Sequence, residues 1–196
     1  SVGVAAHHGH ARLGEPQLGA DGVDDALFID QHPLAGAETF TFEALFRPDG
    51  GAFEQRWFHL AEEAPAGQPP SQTRFLFEIR VVQDRWYLDA FTRGPGYNHT
   101  LIFPERLHPC GQWFHVAQTF DGVLYRAYVD GVLQGEHPVA FKPQGPGRAS
   151  VGCRINRVNY FKGAVRQALA SGGAAAAADA LDRLVARFGA GVVDVE

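Results

Sequence analysis

The stretch that most constrains the fold covers residues 112–131 and reads QWFHVAQTFDGVLYRAYVDG. It holds two alternating runs, joined at Asp121-Gly122 and followed by a second turn signal at Asp130-Gly131. Aspartate followed by glycine between such runs is a strong hairpin signal, because a type I′ turn needs positive φ at both central positions. The stretch therefore predicts neighbouring antiparallel strands.

Alternation of apolar and polar residues recurs along the chain and predicts further strands. In its cleanest example, residues 74–82, Glu78 and Arg80 face away from the apolar side chains. Similar runs occupy residues 26–30, 40–46, 55–62, 85–92, 149–155 and 160–167. Two short runs bounded by prolines, residues 101–103 and 139–141, are predicted edge strands. Together these runs predict an all-β, two-sheet antiparallel sandwich over residues 26–167.

Length and composition fit one such domain. The chain has 196 residues, enough to bury a sizeable core, and its 15 phenylalanines suit a core of aromatic rings between sheets. A formal net charge of −5 leaves no basic footprint of the kind that nucleic acid or anionic membranes attract. No run approaches the ~20 apolar residues of a membrane span. We therefore expect no nucleic acid partner and no membrane insertion.

The sequence changes character at both ends of the predicted sandwich. Residues 1–25 are predicted to be an irregular lead-in, and residues 168–196 begin with a Gly/Ala-rich joint. Within the latter, residues 174–188 have apolar side chains at the i, i+3, i+4, i+7 spacing of an amphipathic helix. The apolar side chains concerned are Leu181, Leu184, Val185 and Phe188. The sequence thus predicts a C-terminal helical tail.

Four pieces of the chain, in family order, resemble the laminin-G-like branch of the concanavalin A-like jelly rolls. They are DGVDDALFI from residue 21, FTFEALFRPDG from residue 40, the 113–132 pattern W-x-H-V-A-x-T-x-D-G with Y-x-D-G-V, and Gly163 after Tyr160-Phe161. The resemblance covers residues 20–167. It implies a two-sheet jelly-roll sandwich from a family that is commonly extracellular, commonly binds glycans or proteins, and sometimes binds calcium.

The residues themselves give little information about the cellular location of the protein or the redox state of its cysteines. The first residues lack the charged start and apolar stretch of a signal peptide, so an extracellular or cell-surface location is implied by the resemblance alone. The two cysteines, Cys110 and Cys153, form a disulfide if their strand ends meet, and otherwise serve as free buried hydrophobes.

Several polar residues lie on the predicted strands among apolar ones, and together they form one candidate site. The set consists of Glu43, His59, Glu78, Arg80 and His115. On the concave sheet of a jelly roll, such a row would bind an acidic sugar or abstract a proton next to its carboxylate. On a solvated outer face, it would instead form cross-strand ion pairs worth ~0.2–1 kcal/mol each. Both interpretations stay open.

A second candidate is the glycine-framed loop predicted at residues 94–99, with sequence GPGYNH. Tyr97 offers a ring that can stack on a sugar, and Asn98 and His99 offer hydrogen-bonding groups. The predicted ligand-binding residues are Tyr97, Asn98, His99, Arg80, His59, His115 and Glu78. The E-x-D-x-x-E run of laminarinase-like relatives does not occur, so no catalytic residue is predicted.

Calcium binding is implied by the resemblance alone. Calcium needs hard oxygen ligands from several loops. Asp89 and Asn98 are the candidate ligands, because the aspartates of the two Asp-Gly pairs are already explained by turn geometry.

These observations favour a recognition module over an enzyme. The predicted partner is a glycan or a glycosylated protein, bound on the concave face and the adjoining loops. Two alternatives stay open: a polysaccharide lyase or glycoside hydrolase on the same scaffold, and a structural domain of a larger surface protein.

Overall fold

The computed structural model describes residues 4–8 and 18–172. These residues form 14 strands arranged in two antiparallel sheets, with no helix among them. Within the same residues, no helix has the length and apolar character that crossing a membrane would require. The predicted all-β sandwich of two antiparallel sheets is confirmed, and its strand order is consistent with a jelly roll.

Sheet A contains eight strands. In spatial order they are β1 (Val4–His8), β3 (Ala26–Ile29), β13 (Gly147–Val151), β5 (Glu54–Glu62), β6 (Arg74–Val82), β7 (Arg85–Gly94) and β8 (Tyr97–Ile102), with β9 (His108–Pro109) paired to β7. Sheet B contains six strands. In spatial order they are β12 (Val132–Pro138), β11 (Leu124–Val129), β10 (Phe114–Phe120), β4 (Phe40–Pro48), β14 (Lys162–Gly172) and β2 (Leu18–Asp21).

Aromatic rings from the two sheets meet in the core. The ring centroids of Phe42 on β4 and Phe77 on β6 lie 4.0 Å apart. The ring of Phe46 lies 5.0 Å from the rings of both Trp57 and Trp86, which belong to the other sheet. All five side chains are almost completely buried. Since such pairs contribute about 0.5–1.5 kcal/mol each beyond the area they bury, they are a major source of cohesion between the sheets.

The two Asp-Gly pairs both end hairpin strands, but they make different turns. Asp130 and Gly131 have φ values of 48° and 76°, as a two-residue type I′ turn requires, and this prediction is confirmed. At the first pair, positive φ is found at Gly122 and not at Asp121. There the Asp121 carboxylate instead accepts the N–H groups of residues 123 and 124, at 2.9 and 2.8 Å. The connection is a longer Asx-type turn, so the type I′ prediction is wrong at this position.

Both ends of the sandwich differ from the predicted boundaries. Residues 1–25, predicted to be irregular, contain β1 and β2, which pair with β3 and β14 respectively. Their pairing comes from backbone hydrogen bonds at sheet edges, which leave no long alternating pattern in the sequence. Strand β14 continues past residue 167 to Gly172, because it stays paired with β4 as far as Phe40. The predicted helix at residues 174–188 lies outside the described residues.

Three smaller predictions have different outcomes. Residues 101–103 were predicted as an edge strand, and residues 101 and 102 do end β8 at the edge of sheet A. Residues 139–141 do not form a strand, so that prediction is wrong; Val139 is buried, and the Phe141 ring packs on Phe75 at 5.6 Å. Cys153 follows the end of β13 in a loop, and both it and Cys110 are free thiols.

Replacement of Phe42 by alanine should destabilise the domain strongly, because it removes the ring that contacts Phe77 across the sheets. Loss of a buried phenylalanine costs about 3–5 kcal/mol of unfolding free energy. Urea denaturation measures this cost. The control is Val123→Ala, at a side chain that is 64% exposed, which should change the unfolding free energy by less than about 0.5 kcal/mol. Equal losses in the two variants would contradict the proposed packing.

Candidate functional site

The predicted polar row is divided between the two sheets. Glu43 and His115 lie on β4 and β10 of sheet B, where His115 Nε2 is 3.1 Å from Glu43 Oε2. His59, Glu78 and Arg80 lie on β5 and β6 of sheet A. The prediction of a single row is therefore wrong. Alternation in a strand shows which residues share a face, but it does not show which sheet the strand joins.

The predicted loop at residues 94–99 is a tight hairpin between β7 and β8. Gly94 pairs with Tyr97, so the turn is only Pro95-Gly96, and Asn98 and His99 belong to β8. Tyr97 is buried in the core: its ring packs on Phe141 at 5.5 Å, and its hydroxyl accepts a hydrogen bond from Gln144 at 3.2 Å.

The three predicted ligand-binding residues of this hairpin therefore do different things. Tyr97 cannot offer a stacking ring to a ligand, because its ring is buried in the core. The His99 ring lies 4.6 Å from the ring of His137. Asn98 is exposed opposite Arg93, on the outer face of sheet A.

The outer face of sheet A carries a connected group of charged side chains, which we call the charged floor. It consists of Glu54, Arg56, Glu78, Arg80 and Asp89, brought side by side by the register of β5, β6 and β7. Arg56 Nε donates to Glu78 Oε1 at 2.7 Å, and Arg80 Nη2 lies 2.5 Å from Asp89 Oδ2. Both arginines also pair with Glu54. Every member of the floor therefore has an oppositely charged partner.

Burial decides the ionisation of this floor. Glu78 and Asp89 lie directly opposite each other and are only 2% and 1% exposed. Burial and the neighbouring Asp89 raise the pKa of Glu78 to about 7, against the pull of Arg56 and Arg80. Burial likewise raises the pKa of Asp89. Burial therefore works against having both carboxyl groups ionised at the same time.

At one end of the same face lies a second group, which we call the arginine corner. It consists of Arg74 on β6, Arg93 on β7, Arg154 after β13, and His59 on β5. His59 Nδ1 accepts the N–H of Ile155 at 2.9 Å, and its Nε2 is buried without a partner among the described residues. Burial, then Arg154 and Arg74, lower the pKa of His59 to about 3. His59 is thus a neutral ring whose Nε2–H is an unused donor.

Aromatic rings border these charges. Phe53 is 58% exposed, and the Arg80 guanidinium lies 5.7 Å from its ring centroid. The Arg74 guanidinium lies 5.0 Å from the ring of the half-buried Phe91. Rings beside planar guanidinium groups can present both an apolar surface and hydrogen-bond donors to one ligand.

Sequence reasoning missed most residues of this face. The alternation of residues 74–82 already placed Arg74 with Glu78 and Arg80, and it could have been included on that basis. Arg56, Arg93 and Arg154 come from separate segments, and strand order and register bring those segments onto one face.

The candidate calcium ligands Asp89 and Asn98 do not come together. Asn98 pairs with Arg93, four residues along β7 from Asp89, which places them roughly 13 Å apart at the usual strand rise. Asp89 is also buried against Arg80. Elsewhere in the described residues, the carboxylates of Asp21, Asp24 and Asp25 lie within 4.8 Å of one another. Calcium binding itself stays a prediction.

Comparison with known families identifies the fold. Residues 21–179 match the sequence profile described as the concanavalin A-like lectin/glucanases superfamily. That match covers most of the chain, so the chain belongs to this family, and the predicted resemblance is confirmed. No curated protein sequence is significantly similar to it.

Solved structures show the same fold. The NanB sialidase of Streptococcus pneumoniae is 19% identical, with a TM-score of 0.57 over 79% of this chain and 25% of that chain. A SAP-like pentraxin from Limulus polyphemus is 17% identical, with a TM-score of 0.57 over 79% of this chain and 74% of that chain.

Domain 4 of AbnA, an extracellular arabinanase from Geobacillus stearothermophilus, was solved with arabinotriose and is 16% identical, with a TM-score of 0.53. The similarity covers 88% of this chain and 77% of that chain. At such identities the likeness shows the fold alone. This chain spans only about a quarter of the NanB chain.

Replacement of Glu78 by glutamine should change how stability depends on pH. The pKa of Glu78 is raised from 4.5 to about 7 in the folded chain, so between these values the folded chain binds more protons than the unfolded one. The stability that protonated Glu78 contributes is therefore fully present below about pH 4.5 and lost as the pH rises through 7.

Urea denaturation across this pH range measures the effect. The unfolding free energy of the wild type, minus that of Glu78→Gln, should fall as the pH rises, by up to about 1.4 kcal/mol per pH unit. The exposed carboxylate of Glu63 gives the matched control, and Glu63→Gln should run parallel to the wild type. A constant difference for Glu78→Gln would show that this carboxyl group has an ordinary pKa.

Proposed function

We propose that this member of the concanavalin A-like lectin/glucanases superfamily is a recognition module that binds a glycan on the outer face of sheet A. The observation that carries the proposal is the placing of Phe53 and Phe91 beside arginine side chains on one sheet face. A sugar ring has an apolar face that packs on aromatic rings and hydroxyl groups that accept from guanidinium donors. One face of this sheet offers both kinds of contact.

The charged floor supports this use because it is held in place before any ligand arrives. Arg56 and Arg80 are fixed by ion pairs to carboxylates that are almost completely buried. Side chains already ordered in the free protein lose little conformational entropy on binding. The floor thus gives the exposed ring of Phe53 and the partly exposed Arg80 a rigid base.

The solved relatives support a glycan as the class of ligand. The arabinanase domain was solved with arabinotriose, and NanB is a sialidase. The partner proposed here is accordingly a glycan, free or attached to a protein. An extracellular or cell-surface location is part of the same proposal, since the arabinanase is described as extracellular.

The arrangement of the carboxyl groups favours binding over hydrolysis. A glycosidase holds two carboxyl groups on either side of the scissile bond, about 5–5.5 Å or 6.5–9.5 Å apart. Glu78 and Asp89 instead lie side by side, buried, with each carboxylate engaged by Arg80. A lyase needs a base near the sugar carboxylate, but His59 already uses its basic Nδ1 to accept from the backbone. These groups are therefore suited to support a ligand, not to transform it.

A glycan array followed by calorimetry on the best ligand tests the proposal. Phe53→Ala should weaken binding roughly tenfold, because it removes an exposed stacking ring. Val132→Ala, at a side chain that is also 58% exposed but belongs to sheet B, is the matched control and should bind like the wild type.

The other outcomes separate the alternatives. Wild-type affinity in Phe53→Ala would place the ligand elsewhere on the molecule. Absence of any glycan ligand would favour a structural domain. Release of an unsaturated, ultraviolet-absorbing product from uronic acid polysaccharides would show a lyase.

A further inference from the structure

The arginine corner has an unusual charge arrangement. Arg74 and Arg93 lie directly opposite each other on β6 and β7, where like charges repel. Arg154 approaches from the loop after β13 and, after burial, is the largest influence lowering the pKa of both Arg74 and His59. Three positive charges thus converge on one end of the sheet A face.

None of the three arginines has a carboxylate partner among the described residues at an ion-pair distance of 4.0 Å or less. Arg74 donates from Nη1 to the backbone oxygen of Gln72 at 2.9 Å, and no described residue is a partner of its buried Nε. Glu78 is the carboxylate that attracts Arg74, but its oxygens are engaged by Arg56 and Arg80. In the charged floor, by contrast, every charged group has an oppositely charged partner within 4.0 Å.

His59 adds an independent sign that an acceptor belongs in this corner. The residue is only 4% exposed, and its Nε2–H finds no acceptor in the part of the chain that the structure describes. A buried donor without an acceptor costs about 1–3 kcal/mol, so buried polar groups are nearly always paired with protein, water or ligand. An acceptor lying among Arg74, Arg93 and Arg154 would satisfy this donor and relieve the repulsion between the arginines.

We propose that the arginine corner is the subsite for the carboxylate of an acidic glycan, such as a polyuronate. This inference rests on the proposed function and adds the chemical class of the ligand. A carboxylate is an acceptor with two oxygens, which matches the planar fork of an arginine. The Phe91 ring beneath Arg74 and the exposed amide of Asn98 opposite Arg93 supply contacts for the rest of the sugar. Those neighbouring contacts suit a sugar acid better than a free inorganic anion.

Polygalacturonate and its methyl ester form the sharpest pair of probes, because the two polymers differ only at the carboxyl group, which is a charged carboxylate in one and a neutral ester in the other. Alginate and hyaluronate extend the test to other linkages. The variant is the double substitution Arg93→Met with Arg154→Met, which removes charge at half-buried positions but keeps the apolar stems. Arg106→Met with Arg85→Met, at exposed arginines outside the corner, is the control that changes the net charge equally.

Calorimetry at fixed ionic strength should show that the wild type binds at least one polyuronate. If polygalacturonate is the polymer that binds, its affinity should exceed that of its methyl ester. The corner variant should lose about tenfold or more in affinity for the acidic polymer, and the control variant should keep it. In nitrogen NMR spectra, the His59 Nε2–H signal of the wild type should move when the polyuronate is added.

The outcomes distinguish this subsite from the proposed function. If Phe53→Ala loses glycan binding but the corner variant keeps wild-type affinity for the polyuronate, the glycan face stands and the arginine corner is overturned. If no polyuronate binds while a neutral glycan does, the glycan face likewise stands and the arginine corner is overturned. If inorganic sulfate saturates the corner and the polymers add no affinity, the site is one for small anions, which also overturns the proposal.

Discussion

The packing of aromatic rings between the sheets is the interaction on which the rest of the structure depends. Phe42 against Phe77, and Phe46 against two tryptophans, join strands that are distant in the sequence. Because these rings fill one face of each strand, the alternate residues must lie on the outer faces. The charged floor and the arginine corner are therefore consequences of the core: they occupy the positions that the rings leave outside.

Sequence periodicity predicted the two-sheet architecture well, because a half-buried strand must alternate. It was less informative where the chain departs from strict alternation. On β5 a bulge between Arg56 and Phe58 places Trp57 in the core, although alternation groups Trp57 with His59. At residues 94–99, glycine and proline indicated a flexible loop. The turn has only two residues, so Tyr97 already belongs to β8 and points into the core. Such details depend on pairing partners that are far away in the sequence.

The candidate site was only partly predictable for the same reason. Glu78 and Arg80 could be assigned to an outer face because they share one strand. The convergence of Arg74, Arg93 and Arg154 depends on strand order and register, which no local pattern contains. The outer face of sheet A thus combines two electrostatic environments. In the charged floor, buried groups of opposite charge are paired and hold one another in place. In the arginine corner, no carboxylate of the described residues pairs with the three arginines.

The placement of the first two strands has a consequence for solubility. Strands β1 and β2 are the edge strands on one side of sheet A and of sheet B, and they are only five and four residues long. A short edge strand offers few free N–H and C=O groups to another molecule. If both strands were cleaved away, β3 and the 11-residue β14 would become the edge strands. The whole length of β14 would then be unpaired on one side, which favours pairing between copies of the chain.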